Sequence, residues 1–209
     1  MSYDRLTMRN AALLLIDQQA GLLAGVHDQS LSEYIASVTA LVKLAKAFKL
    51  PTVVTACTAD GPTGPILPVI TETLPDAPIV HRSGEINAWD NTAFVTAVKR
   101  TGRKKLIVAG VTTEVSVAFV ALSAIRDGYD VYAVIDCSGT WSKLVQQVAV
   151  ARMAQFGIVP VTWTAVGAEL QADWRNTTSQ ELCILMSDHL PFYRNLFGSF
   201  PTVEAAAEA

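Results

Sequence analysis

The amino-acid sequence predicts an α/β fold, a three-layer, doubly wound sheet of six mainly parallel strands. Short apolar runs rich in β-branched residues alternate with longer amphipathic segments as far as about residue 163, which is typical of repeated βαβ units. The apolar runs are almost uninterrupted, as expected for strands that helices cover on both faces. No linker-like or low-complexity stretch breaks this pattern, so residues 1–209 are predicted to form a single domain.

Six strands and four intervening helices follow from the pattern. The predicted strands are AALLLID (11–17), PTVVTAC (51–57), a weaker PIVH (78–81), KKLIVAG (104–110), YDVYAVID (129–136) and IVPVTW (158–163). The predicted helices are 31–49, 91–100, 112–128 and 142–157.

Each predicted helix carries start or stop signals. Helix 31–49 has apolar residues at helical spacing on one face and ends before Pro51, which favours a stop. Helix 91–100 begins at an Asn-Thr pair and ends in a basic turn, which suits the helix dipole. Helices 112–128 and 142–157 each close on Gly, the residue that most often follows a helix end.

Two further helix-like segments follow the last strand, AVGAELQADWRN (165–176) and SQELCILMSDHLPFYRNLFGSF (179–200). The second is rich in Leu, Phe and Tyr, although no further strand of its own sheet remains for it to cover. We therefore expect the C-terminal helices, about 165–200, to take part in contacts between subunits. The final TVEAAAEA is expected to be a solvated end.

Composition excludes several classes of protein. Hydrophobic residues make up 51% of the chain and charged residues 17%, which predicts a thick core or extensive burial in a homo-oligomer. The net charge is −3 without a basic stripe to neutralise phosphates, so nucleic acid is not an expected partner. No apolar run reaches the roughly 18 residues of a membrane helix, and the N-terminus lacks a signal-peptide core, so a cytoplasmic protein with no membrane partner is predicted.

Candidate site residues are those at the carboxyl ends of the predicted strands, where ligands bind in open α/β sheets. They are Asp17 after the first strand, Cys57 after the second, His81 and Arg82 after the third, Ser116 in the turn after the fourth, and Asp136 with Cys137 after the fifth. Successive strand residues face opposite ways, so His81 and Arg82 cannot both point into one site if the strand continues.

Each candidate has an alternative, purely structural role. Asp17 is either a proton-transfer group or a cap for the following turn, and Arg82 is either a site cation or a surface ion pair. Ser116 is either a nucleophile or a small packed residue in a first helical turn. Cys57 is either a buried apolar residue or a pocket residue, and Asp136 is expected to organise its turn.

The odd number of cysteines, without any CxxC spacing, argues against both a disulfide framework and a zinc site. The three cysteines are Cys57, Cys137 and Cys183, and all are predicted to be reduced. The three histidines likewise show no spacing typical of metal ligands.

Several motifs occur in a characteristic order along the chain. They are IDQQ (16–19), an R-x4-NAWDN segment (82–91) and AGVTTEVSV (109–117), with ADWRN (172–176) and PFYRNLFGSF (191–200) in the tail. This order resembles the isochorismatase-like hydrolase superfamily, the cysteine hydrolases, and within it the YcaC-like branch of hydrolases. The likeness covers nearly the whole chain and implies the isochorismatase-like hydrolase fold.

In that superfamily an Asp, a Lys and a Cys work together, the Asp taking the thiol proton and the cation helping to hold charge. On this chain the resemblance assigns these positions to Asp17, Arg82 and Ser116, so the usual Lys is Arg and the usual nucleophilic Cys is Ser. The resemblance also implies a cis peptide bond between Val111 and Thr112. The backbone N–H groups of Thr112 and Ser116 would then form the oxyanion hole.

The resemblance further implies substrate-binding roles for Gln19, Asn87, Trp89 and Cys57. Nicotinamidases of the superfamily carry an Asp and paired His metal site near the end of the second strand, but here that region reads TACTADGPTGP (55–65) and has no His. No metal and no cofactor are therefore expected.

Three functions remain open, because a serine hydroxyl needs a stronger base than a thiol does and an Asp is a weaker base than a His. The favoured one is a hydrolase of a small amide or ester, with altered or weak activity because Ser116 replaces the Cys. The second is a catalytically silent ligand-binding or scaffold homologue. The third is isochorismatase-type hydrolysis of a vinyl ether, with Asp17 as proton donor. The resemblance also implies a homo-oligomer, an octamer of two stacked tetramers.

Overall fold

Six parallel strands form one sheet in the computed structural model, which describes residues 4–57 and 60–198. The strands are β1 (Ala11–Ile16), β2 (Thr52–Cys57), β3 (Ile79–Arg82), β4 (Lys105–Gly110), β5 (Asp130–Val134) and β6 (Val159–Val161). Their order across the sheet is β3-β2-β1-β4-β5-β6, and every neighbouring pair is parallel. The predicted doubly wound α/β fold is confirmed, with an all-parallel sheet in place of a mainly parallel one.

Helices connect the strands. They are α1 (Ala20–Leu23), α2 (Leu31–Ala47), α3 (Pro68–Thr73), α4 (Thr92–Arg100), α5 (Ala118–Arg126), α6 (Lys143–Gln155), α7 (Trp163–Gln171), α8 (Ser179–His189) and α9 (Pro191–Gly198). Two 3-10 turns (Ala88–Asp90 and Ile135–Cys137) and one π turn (Thr113–Val117) lie between them. The sequence did not predict α1 and α3, because helices of four and six residues are too short to show a period.

Each face of the sheet has its own apolar core. On one face, side chains of α2, α7 and α8 pack with Leu13 and Leu15 of β1. On the opposite face, side chains of α4, α5 and α6 pack with Leu14 and Ile16 of the same strand. Every residue of β1 is buried, because this strand lies between β2 and β4 and helices cover both of its faces.

Several elements differ at their ends from the prediction. β1 stops at Ile16, because Asp17 has a φ of 52° and turns the chain out of the strand. β5 stops at Val134, where the backbone enters a 3-10 turn. The predicted helix 112–128 begins with the π turn and becomes α-helical only at Ala118.

The C-terminal segments are more broken than predicted. α7 ends at Gln171, since Ala172 adopts a φ of 61°, and the ADWRN motif therefore lies outside the helix. The predicted segment 179–200 is divided into α8 and α9. Leu190 has an extended backbone between them, as expected for a residue before a proline.

One face of α8, which includes Leu182, packs beside α2 in the core. Part of the C-terminal segment is therefore buried within its own chain, against a helix and not against a strand, and its contacts with other subunits stay a prediction. Apolar side chains on the outside of this region remain exposed, namely Ile184, Phe192 and Leu196. Residues 199–209, which include the predicted solvated end, lie outside the described residues. Within the described ranges, no helix is both long and apolar enough to cross a membrane.

Candidate active site

A cavity of about 220 Å³ lies at the carboxyl edge of the sheet, next to the point where the strand order reverses between β1 and β4. Ligands bind at this position in open α/β proteins. Six of the residues predicted for the site line the cavity: Asp17, Cys57, Arg82, Val111, Thr112 and Ser116. Drug-sized ligands occupy pockets of roughly 300–1,000 Å³, so this cavity suits a smaller molecule.

Asp17 is positioned by the end of β1 and is only 5% exposed. Its φ of 52° lies in the left-handed region, which residues other than glycine seldom adopt and which is concentrated at functional sites. Oδ2 accepts a hydrogen bond of 2.8 Å from Ser116 Oγ, and Oδ1 accepts one from Arg82 Nη2. The carboxylate therefore joins a hydroxyl and a guanidinium and does not act as a cap for the following turn.

Arg82 is the last residue of β3 and is 2% exposed, so its pairing with Asp17 is a buried ion pair and not a surface one. Nη1 donates to the carbonyl oxygens of Glu85 at 2.7 Å and Ile86 at 3.2 Å. Nε has no hydrogen-bond partner within the described part of the chain. His81, the preceding residue, is exposed, as the alternation of side chains along a strand predicts.

Ser116 lies in the π turn Thr113–Val117 and not in the first turn of a regular α-helix. π turns occur mostly as single-turn bulges, frequently at functional sites. Ser116 is 7% exposed and borders the cavity with its hydroxyl directed at Asp17. The peptide bond between Val111 and Thr112 is cis. Thr112 and Ser116, the residues predicted for the oxyanion hole, border the same cavity.

Cys57 ends β2, and its Sγ lies 3.8 Å from Arg82 Nη2. Burial raises the pKa of the Cys57 thiol, and the negative charge of Asp17 raises it further, while Arg82 opposes the change. The thiol is therefore uncharged at neutral pH. Of the two roles left open for Cys57, the structure supports a residue of the cavity wall.

The reactivity of Cys57 is expected to follow this raised pKa, because the thiolate is the form that alkylating agents attack. Iodoacetamide should modify Cys57 slowly at neutral pH. The pH at which the rate is half of its maximum should lie above the ordinary thiol pKa of about 8.5. Cys137 should stay unmodified in the native protein, since it is completely buried and burial holds the pKa of its thiol well above the usual value. Peptide mass mapping over a pH series measures both rates. A half-maximal rate of Cys57 modification at a pH below the ordinary thiol pKa would contradict the expectation.

Gln19 was predicted to bind substrate, but its side chain is fully buried and is not among the cavity-lining residues. Its amide holds the backbone of Cys57: Oε1 accepts from the Cys57 N–H at 3.0 Å, and Nε2 donates to the Cys57 carbonyl at 3.2 Å. Nε2 also donates to Thr63 Oγ1 at 3.0 Å. These contacts make Gln19 a residue that positions the wall of the cavity.

Asn87 and Trp89 were also predicted to bind substrate, and neither lines the cavity. Asn87 Nδ2 donates to Ser123 Oγ at 3.0 Å, and Trp89 Nε1 donates to Asp127 Oδ2 at 2.8 Å. Trp89 belongs to the core that α4 and α5 form against the sheet. Because their polar groups bond within this helical layer, these side chains anchor the segment after β3, and their role in substrate binding stays a prediction.

Six lining residues were missed by sequence reasoning: Leu22, Thr63, Gly84, Glu85, Ile86 and Val115. They come from α1, from loops and from the π turn, and no spacing or motif marks them as neighbours. Ile86 is 69% exposed at the mouth of the cavity. Glu85 is ionised at neutral pH, because hydrogen bonds from its own N–H, from Asn91 and from Gly84 lower its pKa.

Asp136 lies in the 3-10 turn after β5. The sequence predicts that it organises this turn, whereas its carboxylate bonds chiefly to the start of α7. Its Oδ1 accepts a hydrogen bond of 3.0 Å from the backbone N–H of Trp163, the first residue of α7. Burial raises the pKa of the Asp136 carboxyl. Within residues 4–57 and 60–198, no group of three or more His, Cys, Asp or Glu side chains is arranged to hold a metal ion.

A larger groove of about 630 Å³ opens at the opposite, amino-terminal edge of the sheet. It is lined by the ends of α2, α3 and α4 and by the start of β2, and it carries charges of both signs, including Lys46, Lys49 and Glu72. Size alone does not make it the active site, because the buried polar group lies at the carboxyl edge, where open α/β sheets bind ligands.

Fold and site together define an open, doubly wound α/β protein with a buried hydroxyl, carboxylate and guanidinium at the switch point of its sheet. The chain belongs to the isochorismatase family, since the family model described as "Isochorismatase domain" matches residues 11–165. The family predicted from the ordered motifs is therefore confirmed. That Ser116 stands where the family has its cysteine stays a prediction.

Two similar proteins, one of them matched both in sequence and in structure, place the chain within the family. It is 49% identical over 201 residues to "Probable hydrolase YcaC" of Escherichia coli K12, with 96% of each chain covered. The crystal structure of the E. coli YcaC gene product, described as an octameric hydrolase of unknown specificity, matches with a TM-score of 0.93 at 49% identity, covering 97% of this chain and 99% of that chain. YcaC from Pseudomonas aeruginosa, whose structure holds hexane-2,5-diol and covalent acrylamide, matches with a TM-score of 0.93 at 48% identity, covering 96% and 98%. The predicted likeness to the YcaC branch is thereby confirmed.

Proposed function

We propose that this protein hydrolyses a small amide or ester, with Ser116 as the nucleophile and Asp17 as the general base. The observation that carries the proposal is the 2.8 Å hydrogen bond from Ser116 Oγ to Asp17 Oδ2, at the edge of a small cavity. A nucleophile within hydrogen-bond reach of a base, which a third group orients, is the signature of nucleophilic catalysis. The 49% identity to a protein named as a probable hydrolase agrees with this assignment.

The reaction has two halves. In the first, Ser116 Oγ attacks the carbonyl carbon of the substrate while its proton passes to Asp17 Oδ2, and the carbonyl oxygen takes the negative charge. The C–N or C–O bond then breaks, the leaving group takes the proton from Asp17, and an acyl-Ser116 ester remains. In the second, water gives a proton to Asp17 and attacks this ester, which releases the acid and restores the Ser116 hydroxyl.

Backbone N–H groups of Thr112 and Ser116 are the proposed oxyanion hole. Both residues border the cavity, Thr112 directly before the π turn and Ser116 within it. Donors fixed in a site that excludes water stabilise a developing oxyanion more strongly than water does.

Arg82 is proposed to orient and charge-balance Asp17. An arginine stays protonated, so it stabilises the carboxylate but does not shuttle a proton as a lysine can. Two backbone carbonyls hold its Nη1 on the side away from Asp17, which fixes the guanidinium in one orientation.

Slow turnover is part of the proposal. A serine hydroxyl depends on its base far more than a thiol does, and an aspartate is a weaker base than the histidine of most serine hydrolases. None of the cavity-lining residues that the structure describes is a histidine. A catalytically silent ligand-binding homologue is the alternative that the test must separate from a slow enzyme.

The test is acylation by p-nitrophenyl acetate, followed by intact mass and peptide mapping. The proposal expects an acetyl adduct on Ser116 and p-nitrophenol release that continues after the first turnover. Ser116→Ala should lose both, although its packing changes little. Acetylation at surface residues only, equal in both proteins, would support the silent binding protein instead.

Assembly into a homo-octamer is a separate prediction. Apolar side chains are exposed on α6 and on the C-terminal helices: Leu144, Val148, Ile184, Phe192 and Leu196. Large apolar side chains exposed on these helices are typical of surfaces that contact another subunit, and a relative at 49% identity is described as octameric. Light scattering should give about eight times the chain mass of 22.4 kDa, and a monomer would contradict the prediction.

A further inference from the structure

We infer that the cavity selects substrates whose acyl part is uncharged, and that Glu85 sets the preference against anions. This inference rests on the proposed hydrolase function of the same cavity. It names the class of substrate, a small neutral amide or ester, and a residue that determines specificity without taking part in the reaction.

The charge balance of the cavity is the first argument. Three of its described lining residues are acidic or basic: Asp17, Arg82 and Glu85. Asp17 and Arg82 form a buried ion pair, so their charges largely cancel at the distance of a ligand. The carboxylate of Glu85 accepts hydrogen bonds from Asn91 and from the Gly84 N–H, and both of these donors are uncharged. The charge of Glu85 is therefore not cancelled, and the cavity presents a net negative charge to a substrate.

Arg82 cannot serve as the anion receptor of the cavity. Recognition of a carboxylate by arginine commonly uses two parallel N–H groups, which adds energy and geometric specificity. Here Nη1 already donates to the Glu85 and Ile86 carbonyls, and Nη2 donates to Asp17 and lies 3.8 Å from Cys57 Sγ. Only Nε lacks a partner within the described residues, and a single N–H leaves a substrate carboxylate without the second bond.

The carboxylate of Glu85 is fixed by two hydrogen bonds, and its charge reaches the cavity, since it raises the pKa of the Cys57 thiol in the cavity wall. Its Oε1 accepts from Asn91 Nδ2 at 2.9 Å, and its Oε2 accepts from the Gly84 N–H at 3.2 Å. These bonds also hold the side chain ionised at neutral pH, since they lower its pKa. A fixed negative charge near the cavity raises the energy of an entering anion, although water and salt weaken the effect.

Outside the proposed oxyanion hole at Thr112 and Ser116 and the hydroxyl of Thr63, most of the remaining wall offers an anion no partner. Leu22, Ile86, Val111 and Val115 are apolar, and burying a charge without a partner is costly. Fixed apolar walls and a small volume instead suit a short uncharged acyl chain. A dicarboxylate such as isochorismate is a poor fit, which argues against the vinyl ether reaction for this chain.

Succinamide and succinamate test the inference, because they have the same skeleton and differ by one negative charge. Binding to the full-length protein is measured by saturation-transfer NMR, and turnover by ammonia release. Succinamide should bind about tenfold more tightly than succinamate, a difference of about 1.4 kcal/mol. Glu85→Gln should narrow this ratio by about threefold or more through better binding of succinamate. The matched control is Glu72→Gln, which removes an exposed carboxylate from the groove at the other edge of the sheet and should leave the ratio unchanged.

The outcomes separate the inference from the proposed function. Binding of succinamide without ammonia release would overturn the hydrolase function and leave the charge selection standing. Equal binding or equal turnover of the two amides in the unaltered protein would overturn the charge selection. If Glu85→Gln leaves the ratio of the two affinities unchanged, or if Glu72→Gln narrows it equally, Glu85 does not set the preference against anions. Absence of binding by either amide would also overturn the inference.

Discussion

Asp17→Asn is expected to abolish hydrolysis and, at the same time, to destabilise the fold. The amide cannot accept the proton of Ser116, so no turnover above the background should remain. The substitution also leaves the guanidinium of Arg82 buried without its counter-charge. Breaking a buried ion pair in this way costs about 3–5 kcal/mol, so the free energy of unfolding should fall by that order.

The two effects are separated by a second substitution and by a control. Asp17→Asn combined with Arg82→Met removes the unpaired charge, and this double variant should regain stability in urea unfolding without regaining activity. Asp136→Asn changes a carboxylate at the same edge of the sheet that bonds to the Trp163 N–H and is not among the cavity-lining residues. It should keep its activity. Turnover by Asp17→Asn at a temperature where it is folded would show that Asp17 is not the base.

Ser116→Cys is expected to raise hydrolysis of a small activated ester by about tenfold or more, which corresponds to about 1.4 kcal/mol off the barrier. A thiol is intrinsically more nucleophilic than a hydroxyl, and Asp17 and Arg82 are already placed beside it. One sulfur for one oxygen changes the volume little, so the packing cost should stay within about 1.5 kcal/mol. Iodoacetamide should then label position 116 ahead of the three native cysteines.

The control for the new thiol is Ser123→Cys on α5, where the native hydroxyl bonds to Asn87 and not to Asp17. This variant adds a cysteine to the same helical region without a base beside it and should show no gain. A Ser116→Cys protein that hydrolyses esters no faster than the native protein, and reacts no faster than Cys57, would mean that the cavity is not built around Ser116. The silent binding protein would then be the better assignment.

The sequence by itself determined the architecture, because the fold depends on local and repetitive signals. Near-continuous apolar runs require strands covered on both faces, and amphipathic segments between them require helices on those faces. From this alternation the rule that ligands bind at the carboxyl ends of the strands selects seven candidates. Four of them, Asp17, Cys57, Arg82 and Ser116, line the cavity, whereas His81, Asp136 and Cys137 do not. The ordered motifs were also sufficient to predict the family that the comparison confirms.

Only the tertiary structure decided what each candidate side chain contacts. A motif places Gln19, Asn87 and Trp89 near a site, but burial directs their polar groups to partners in the protein interior. Glu85 and Ile86 enter the cavity because the loop after β3 folds back over Arg82, a long-range arrangement that no periodicity encodes. The charge presented to a ligand depends in the same way on distance and direction between residues far apart in the chain. The sequence can therefore name the charged groups, whereas only the folded chain decides which of them cancel.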